Sequence, residues 1–144
     1  MPGCDNLAAG TLGLMQPVLD NGFYLVMHDA VRRLVVLQRS RQALSPAELG
    51  SMLAIVVSAL GPLRGQRLLI DVRLGPGNNN PLLEQPIQQF RRQLAELFPT
   101  SATLAATAVG RLQIMRMSRE RKDGGIHVFL DEAEAIAHLM AQKL

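Results

Sequence analysis

The chain of 144 residues has one cysteine, no tryptophan and only 3% aromatic side chains. A lone Cys4 excludes an intramolecular disulfide and a cysteine-built metal cage, and this usage fits a reducing cytoplasm. Scarce aromatics leave few side chains for stacking on bases or sugars. The core must therefore be aliphatic, made from Leu, Val, Ile, Met and Ala. The longest uncharged run falls short of the ~20 residues of a bilayer span. The longest uncharged stretch, Leu49 to Leu63, is interrupted by Gly, Ser and Pro. The N-terminus lacks the basic flank and continuous apolar segment of a signal peptide. A soluble, cytoplasmic protein with no membrane segment is the expectation.

What is present is globular in proportion, with 48% hydrophobic and 19% charged residues. The length is that of one domain, enough to bury roughly two-thirds of its unfolded surface. Fifteen Lys and Arg against twelve acids leave a net charge of +3. So mild an excess describes a solvated basic surface better than a nucleic-acid footprint, so nucleic acid is not the expected partner.

Residues 1–21 contain Gly and Pro without a sustained period and read as a loosely ordered arm, followed by a domain over 22–144. Phe23 to Asp29 and Arg32 to Arg39 are two β-rich runs separated by Ala30 and Val31, spaced as a tight hairpin. Ser45, Pro46 and Glu48 open a helix as cap, first residue and capping-box partner. Leu49, Met52, Leu53, Val56, Val57 and Leu60 form its apolar face, and Gly61-Pro62 ends it. Its other face, with Ser51, Ala54, Ile55 and Ser58, carries no charge. A helix without a polar side is usually covered there too, by the N-terminal arm or by a homodimer partner.

Arg67 to Arg73 is a continuous apolar run of the kind found in central parallel strands. The Gly75-Pro76-Gly77 loop and Asn78, Asn79 and Asn80 follow. Leu83, Ile87, Phe90, Leu94 and Leu97 then repeat at helical spacing, from a start at either Asn80-Pro81 or Gln85-Pro86. Ser101 to Ala108 reads as a strand of small residues. It leads into a helix with Val109, Leu112 and Met115 that stops at Asp123-Gly124-Gly125. Ile126 to Leu130 is a short last strand, and Asp131 with Glu134 opens the final helix. The order predicts an α/β domain with a mixed sheet of about five strands, an antiparallel hairpin followed by parallel strands, and four helices.

This succession resembles the STAS-like domains, named after sulfate transporters and anti-sigma-factor antagonists. The "LLIDVR" strand and "TAVGRLQ", Thr107 to Gln113, carry the resemblance, over about Phe23 to Leu144. It implies a non-enzymatic cytoplasmic regulatory module that binds a partner protein. In many members a Ser or Thr after the third strand is phosphorylated. Aligned on Asp71, that junction falls at Asn78 to Pro81, and no Ser or Thr occurs between Asp71 and Pro99. Asn has no hydroxyl to accept a phosphoryl group, so this chain departs from the phosphorylated pattern.

The residues expected to recognise something are Asp71, Arg73, Asn78, Asn79, Asn80, Arg111, Arg116 and Arg119. In open α/β sheets ligands lie beyond the carboxyl ends of the strands, where helix starts present N–H groups. Arg73 and Arg111 each follow such a strand end, so a protein partner or a small anion or nucleotide is the expected ligand. The loop has neither the Gly-Lys-Ser/Thr of a P-loop nor a dinucleotide fingerprint, and no cofactor is expected. His28, His127 and His138 have no metal-ligand spacing, so no metal is expected, and no residues combine as a catalytic set.

Overall fold

A computed structural model describes residues 15–76, 81–121 and 127–144, with backbone only at 117–121. Six strands form one sheet in sequential order: β1 (Gln16–Asp20), β2 (Tyr24–Asp29), β3 (Leu34–Arg39), β4 (Arg67–Asp71), β5 (Ser101–Leu104) and β6 (Val128–Phe129). The β1–β2 and β2–β3 pairs are antiparallel and the remaining three are parallel. Helices α1 (Pro46–Leu60), α2 (Pro81–Leu97), α3 (Ala108–Arg121) and α4 (Glu132–Met140) alternate with the later strands.

The sequence expectation of an α/β domain with a hairpin and then parallel strands is met. The additional strand is β1, in the segment read as a loose arm. Gln16 pairs with His28 and Asp20 with Leu25, with a register shift between Pro17 and Leu19. It left no signal because "QPVLD" is an exposed edge strand without apolar alternation, and its proline is tolerated only at such an edge. Residues 1–14 lie outside the described residues.

The hairpin loop also differs from expectation. It spans Ala30 to Arg33, two residues longer than the tight turn, since Asp29 pairs with Leu34. Asp29 Oδ1 accepts from the N–H of Val31 at 3.0 Å and of Arg32 at 3.1 Å, and Arg33 takes a φ of 51°. Ala-Val has no chemistry for a two-residue turn, whereas an Asx-stabilised loop needs none. Burial raises the Asp29 pKa, but donors from Arg32 and the Val31 N–H outweigh it and hold the carboxyl below its usual range.

Alternation of side chains divides the core in two. Val35, Leu37 and Leu68 pack with Leu49, Leu53, Val56 and Leu60 of α1 and Phe90 and Leu94 of α2. Ile114 of α3 meets Ala105 and Val128 in a smaller cluster. The opposite face buries Leu34, Val36, Leu69 and Leu104 with Ala135 and Leu139 of α4. Strand β3 is thus apolar on both sides, which is why its sequence reads as a continuous run. Together α1 and the turn after it, Pro46–Leu63, have the length and apolarity of a membrane span, but the inner face of α1 is packed against the sheet.

The ends of the elements are held by identifiable groups. Ser45 Oγ accepts from the Glu48 N–H, and its own proton goes to Glu48 Oε1 at 2.7 Å, a variant of the expected capping box. Helix α2 starts at Pro81 and contains Pro86, which resolves the two starts left open by the sequence. Arg67, at the start of β4, donates to three carbonyls: Arg32 O at 2.7 Å and Leu139 O and Gln142 O at 2.8 Å. A cation here satisfies carbonyls at the negative end of α4 and ties that helix to the hairpin loop. Arg67→Ala should lower unfolding free energy in urea by about 2 kcal/mol, with Arg67→Lys intermediate because it cannot fork.

Candidate functional site

The site begins with two side chains that point to the α4 side at the carboxyl ends of neighbouring parallel strands. Gln38 of β3 pairs in register with Asp71 of β4. Both are enclosed, at 2% and 1% exposure. Gln38 Nε2 donates to Asp71 Oδ2 at 3.1 Å. Arg73 wraps back, donating Nε to Oδ1 at 3.0 Å and Nη2 to Oδ2 at 2.9 Å, while its backbone N–H also reaches Oδ1 at 3.1 Å. A buried carboxylate needs such a full set of donors. The hydrogen bonds from Arg73 to Asp71, followed by the nearby charges of Asp71 and Glu132, raise the arginine's pKa in spite of partial burial. Among the described residues, Gln38 Oε1 has no hydrogen-bond partner.

The loop leaving this cluster is built by close approach. The Gly75 N–H donates to Val72 O at 3.1 Å, and a Cβ on Gly75 would lie 3.0 Å from Arg39 Cγ. Arg39 is itself fixed, donating to the carbonyls of Phe23 and Ser40 and standing 5.3 Å from the centre of the Tyr24 ring. Gly75 thus makes room for a neighbouring side chain, a packing role that the loop's composition alone does not distinguish from an anion cradle.

Of the residues singled out in the sequence, Asp71 and Arg73 come together. Arg111 is separate: it lies exposed in the first turn of α3, and among the described residues its guanidinium has no hydrogen-bond or ion-pair partner. Arg116 is exposed further along the helix. The side chain of Arg119 and the whole of Asn78, Asn79 and Asn80 lie outside the described residues, as does the Asp123 to Gly125 stop. Thr107 caps α3, its Oγ1 accepting from the Gly110 N–H at 3.0 Å.

Ser51, Ala54, Ile55 and Ser58 are exposed, Ile55 at 48%. Of these, Ala54 and Ser58 line a groove of about 370 Å³ between α1 and α2, together with Gly50, Pro86, Gln89 and Gln93 among others.

Three features escaped the sequence reading. Gln38 reads as one polar residue at a strand end, and only the β3–β4 register gives it a partner. Val109 and Leu112, at helical spacing, are 66% and 61% exposed. His127 and His138 stack with ring centres 4.4 Å apart, and Phe129 lies 5.2 Å from His138. No three His, Cys, Asp or Glu side chains among the described residues are grouped to hold a metal ion.

The chain matches no protein-family model, no curated protein and no solved structure.

Two outcomes follow from this geometry. Asp71→Ala strands the Gln38 amide, the Arg73 guanidinium and the Arg73 backbone N–H, and should cost about 3 kcal/mol in denaturant unfolding; Arg73→Ala, which leaves Gln38 and a backbone N–H on the carboxylate, should cost about 1 kcal/mol. Burial, and then the charge of His127, lower the His138 pKa. The unfolded chain therefore takes up this proton first, so stability should fall as pH drops through about 6.5 and level off below the folded-state pKa. His138→Phe should flatten that limb in thermal melts at stepped pH.

Proposed function

We propose that this chain is a non-catalytic, STAS-like regulatory or adaptor module that binds a partner protein at the carboxyl rim of its sheet. The recognising surface comprises the loop after β4 and the edge of α3. One observation carries the reading: Arg73 is consumed in the internal network of Asp71, whereas Arg111 is exposed and has no partner among the described residues. A rim whose buried charge is neutralised from within, and whose exposed charge lies on a helix edge, has the character of an interface. The chemistry also fits a cytoplasmic setting, with Cys4 as the only thiol.

The second reading is a small-anion or nucleotide sensor using Arg73, Arg111 and Asn78 to Asn80; Arg111, at a helix start and without a partner among the described residues, favours it. A thermal-shift screen with ATP, GTP, phosphate and citrate separates the two. The adaptor reading expects no shift, and expects chemical cross-linking in the native cell to trap a protein that Arg111→Glu no longer traps. A ligand that raises the melting temperature of the wild type but not of Arg111→Ala establishes the sensor instead.

We further propose that the uncharged face of α1 is a homodimer seam. It joins no opposing charges, so two copies can meet there without stranding an ion. Ser51→Arg with Ser58→Arg should reduce the mass in light scattering to that of one chain. A mass unaltered by these substitutions removes the seam.

A further inference from the structure

We infer that the outer stripe of α3, Val109, Leu112 and Arg116, is the anchor for an acidic amphipathic helix of the partner protein; this rests on the adaptor reading and gives its partner a chemistry. Positions separated by three and four residues share one face of a helix. In α3 that face is inverted relative to an ordinary surface helix: among the described side chains of the helix Ile114 is buried on the inside with Met115 half-buried beside it, and two of the large exposed apolar side chains point outward. Isolated exposed apolar residues are common. Here two adjoin each other on one turn and continue into a cation, the i, i+3, i+7 spacing by which helices dock.

Charge selects the partner. Helices α1, α2 and α4 each have an acid in the first turn, namely Glu48, Glu84, and Glu132 with Glu134. Helix α3 has none and carries Arg111 there. A cation at the positive end of a helix dipole is unfavourable, and an approaching carboxylate relieves it. Arg111, one position before Leu112 and so about 100° round the helix from it, flanks the apolar stripe near the positive end of the helix, and Arg116 lies on the stripe seven positions beyond Val109, so a partner with leucine-like residues flanked by Glu or Asp fits both features. The shape of the partner follows from the sheet. The adjacent edge strand β6 has two residues, too few for an added strand, while α3 offers two turns of exposed helix.

The test is selection of helical peptides against the full chain. The displayed library keeps an apolar stripe at i, i+3, i+4 and i+7 and varies the flanking positions among Glu, Lys and Gln. Glu-flanked peptides should be enriched, and their binding should weaken with added salt. Leu112→Asp and Val109→Asp, both on exposed positions and checked by circular dichroism, should each weaken it by about tenfold or more. Val31→Asp, exposed in the hairpin loop at the other end of the sheet, should leave it unchanged. Enrichment of Lys-flanked peptides, no enrichment, or full binding by Leu112→Asp overturns the inference. Co-sedimentation with phosphatidylglycerol vesicles in place of peptide selection overturns it in favour of a lipid surface. Failure here is distinguishable from failure of the adaptor reading. If Arg111→Glu abolishes trapping of the cellular protein and Leu112→Asp does not, the rim stands and the α3 anchor falls; if neither matters, both fall.

Discussion

The carboxylate of Asp71 sets the form of the rim. It is buried at the end of a central strand, where an ion without donors would be strongly unfavourable. Gln38 from the next strand and Arg73 from the following loop supply those donors, so one group fixes the relation between β3, β4 and the chain that leaves them. Arg73 is thereby turned inward. Among the described residues, what faces outward at this edge is the surface of α3 with Arg111, and the proposed function follows from the contrast between Arg73 and Arg111.

The same economy appears at the opposite end of the strands. Arg67 gathers three carbonyls from the hairpin loop and the end of α4, and Asp29 organises the hairpin loop itself. Buried or half-buried ions at both ends of the sheet serve the fold. Arg111 has no such duty among the described residues, which favours the α3 edge as the proposed place of recognition. Gly75 points the same way, since its lack of a side chain admits the stem of Arg39.

Much of the architecture was legible in the sequence, for reasons tied to particular residues. The unbroken apolar runs of β3 and β4 announce strands covered on both faces, and Ser45-Pro46 marks the start of α1 because capping is a local interaction. Strand β1 was not legible, because an edge strand exposed to water needs no apolar alternation. The site was half legible. Asp71 and Arg73 lie two residues apart and were recognisable as a strand end. Gln38 and the His127–His138 stack depend on register between distant segments, which composition does not encode. The spacing of Val109 and Leu112 was visible, but which way that face points depends on how α3 packs against Ala105 and Val128.

The central claim is that the α3 edge meets another protein and transforms nothing. Its most direct measurement is site-specific photo-cross-linking in the living cell, with a photoreactive side chain at position 112 and, as a control on the far edge of the sheet, at position 18. A discrete covalent adduct to a second protein from position 112, and none from position 18, is the expected result. No adduct from 112, with a purified chain that turns over a substrate, contradicts the account.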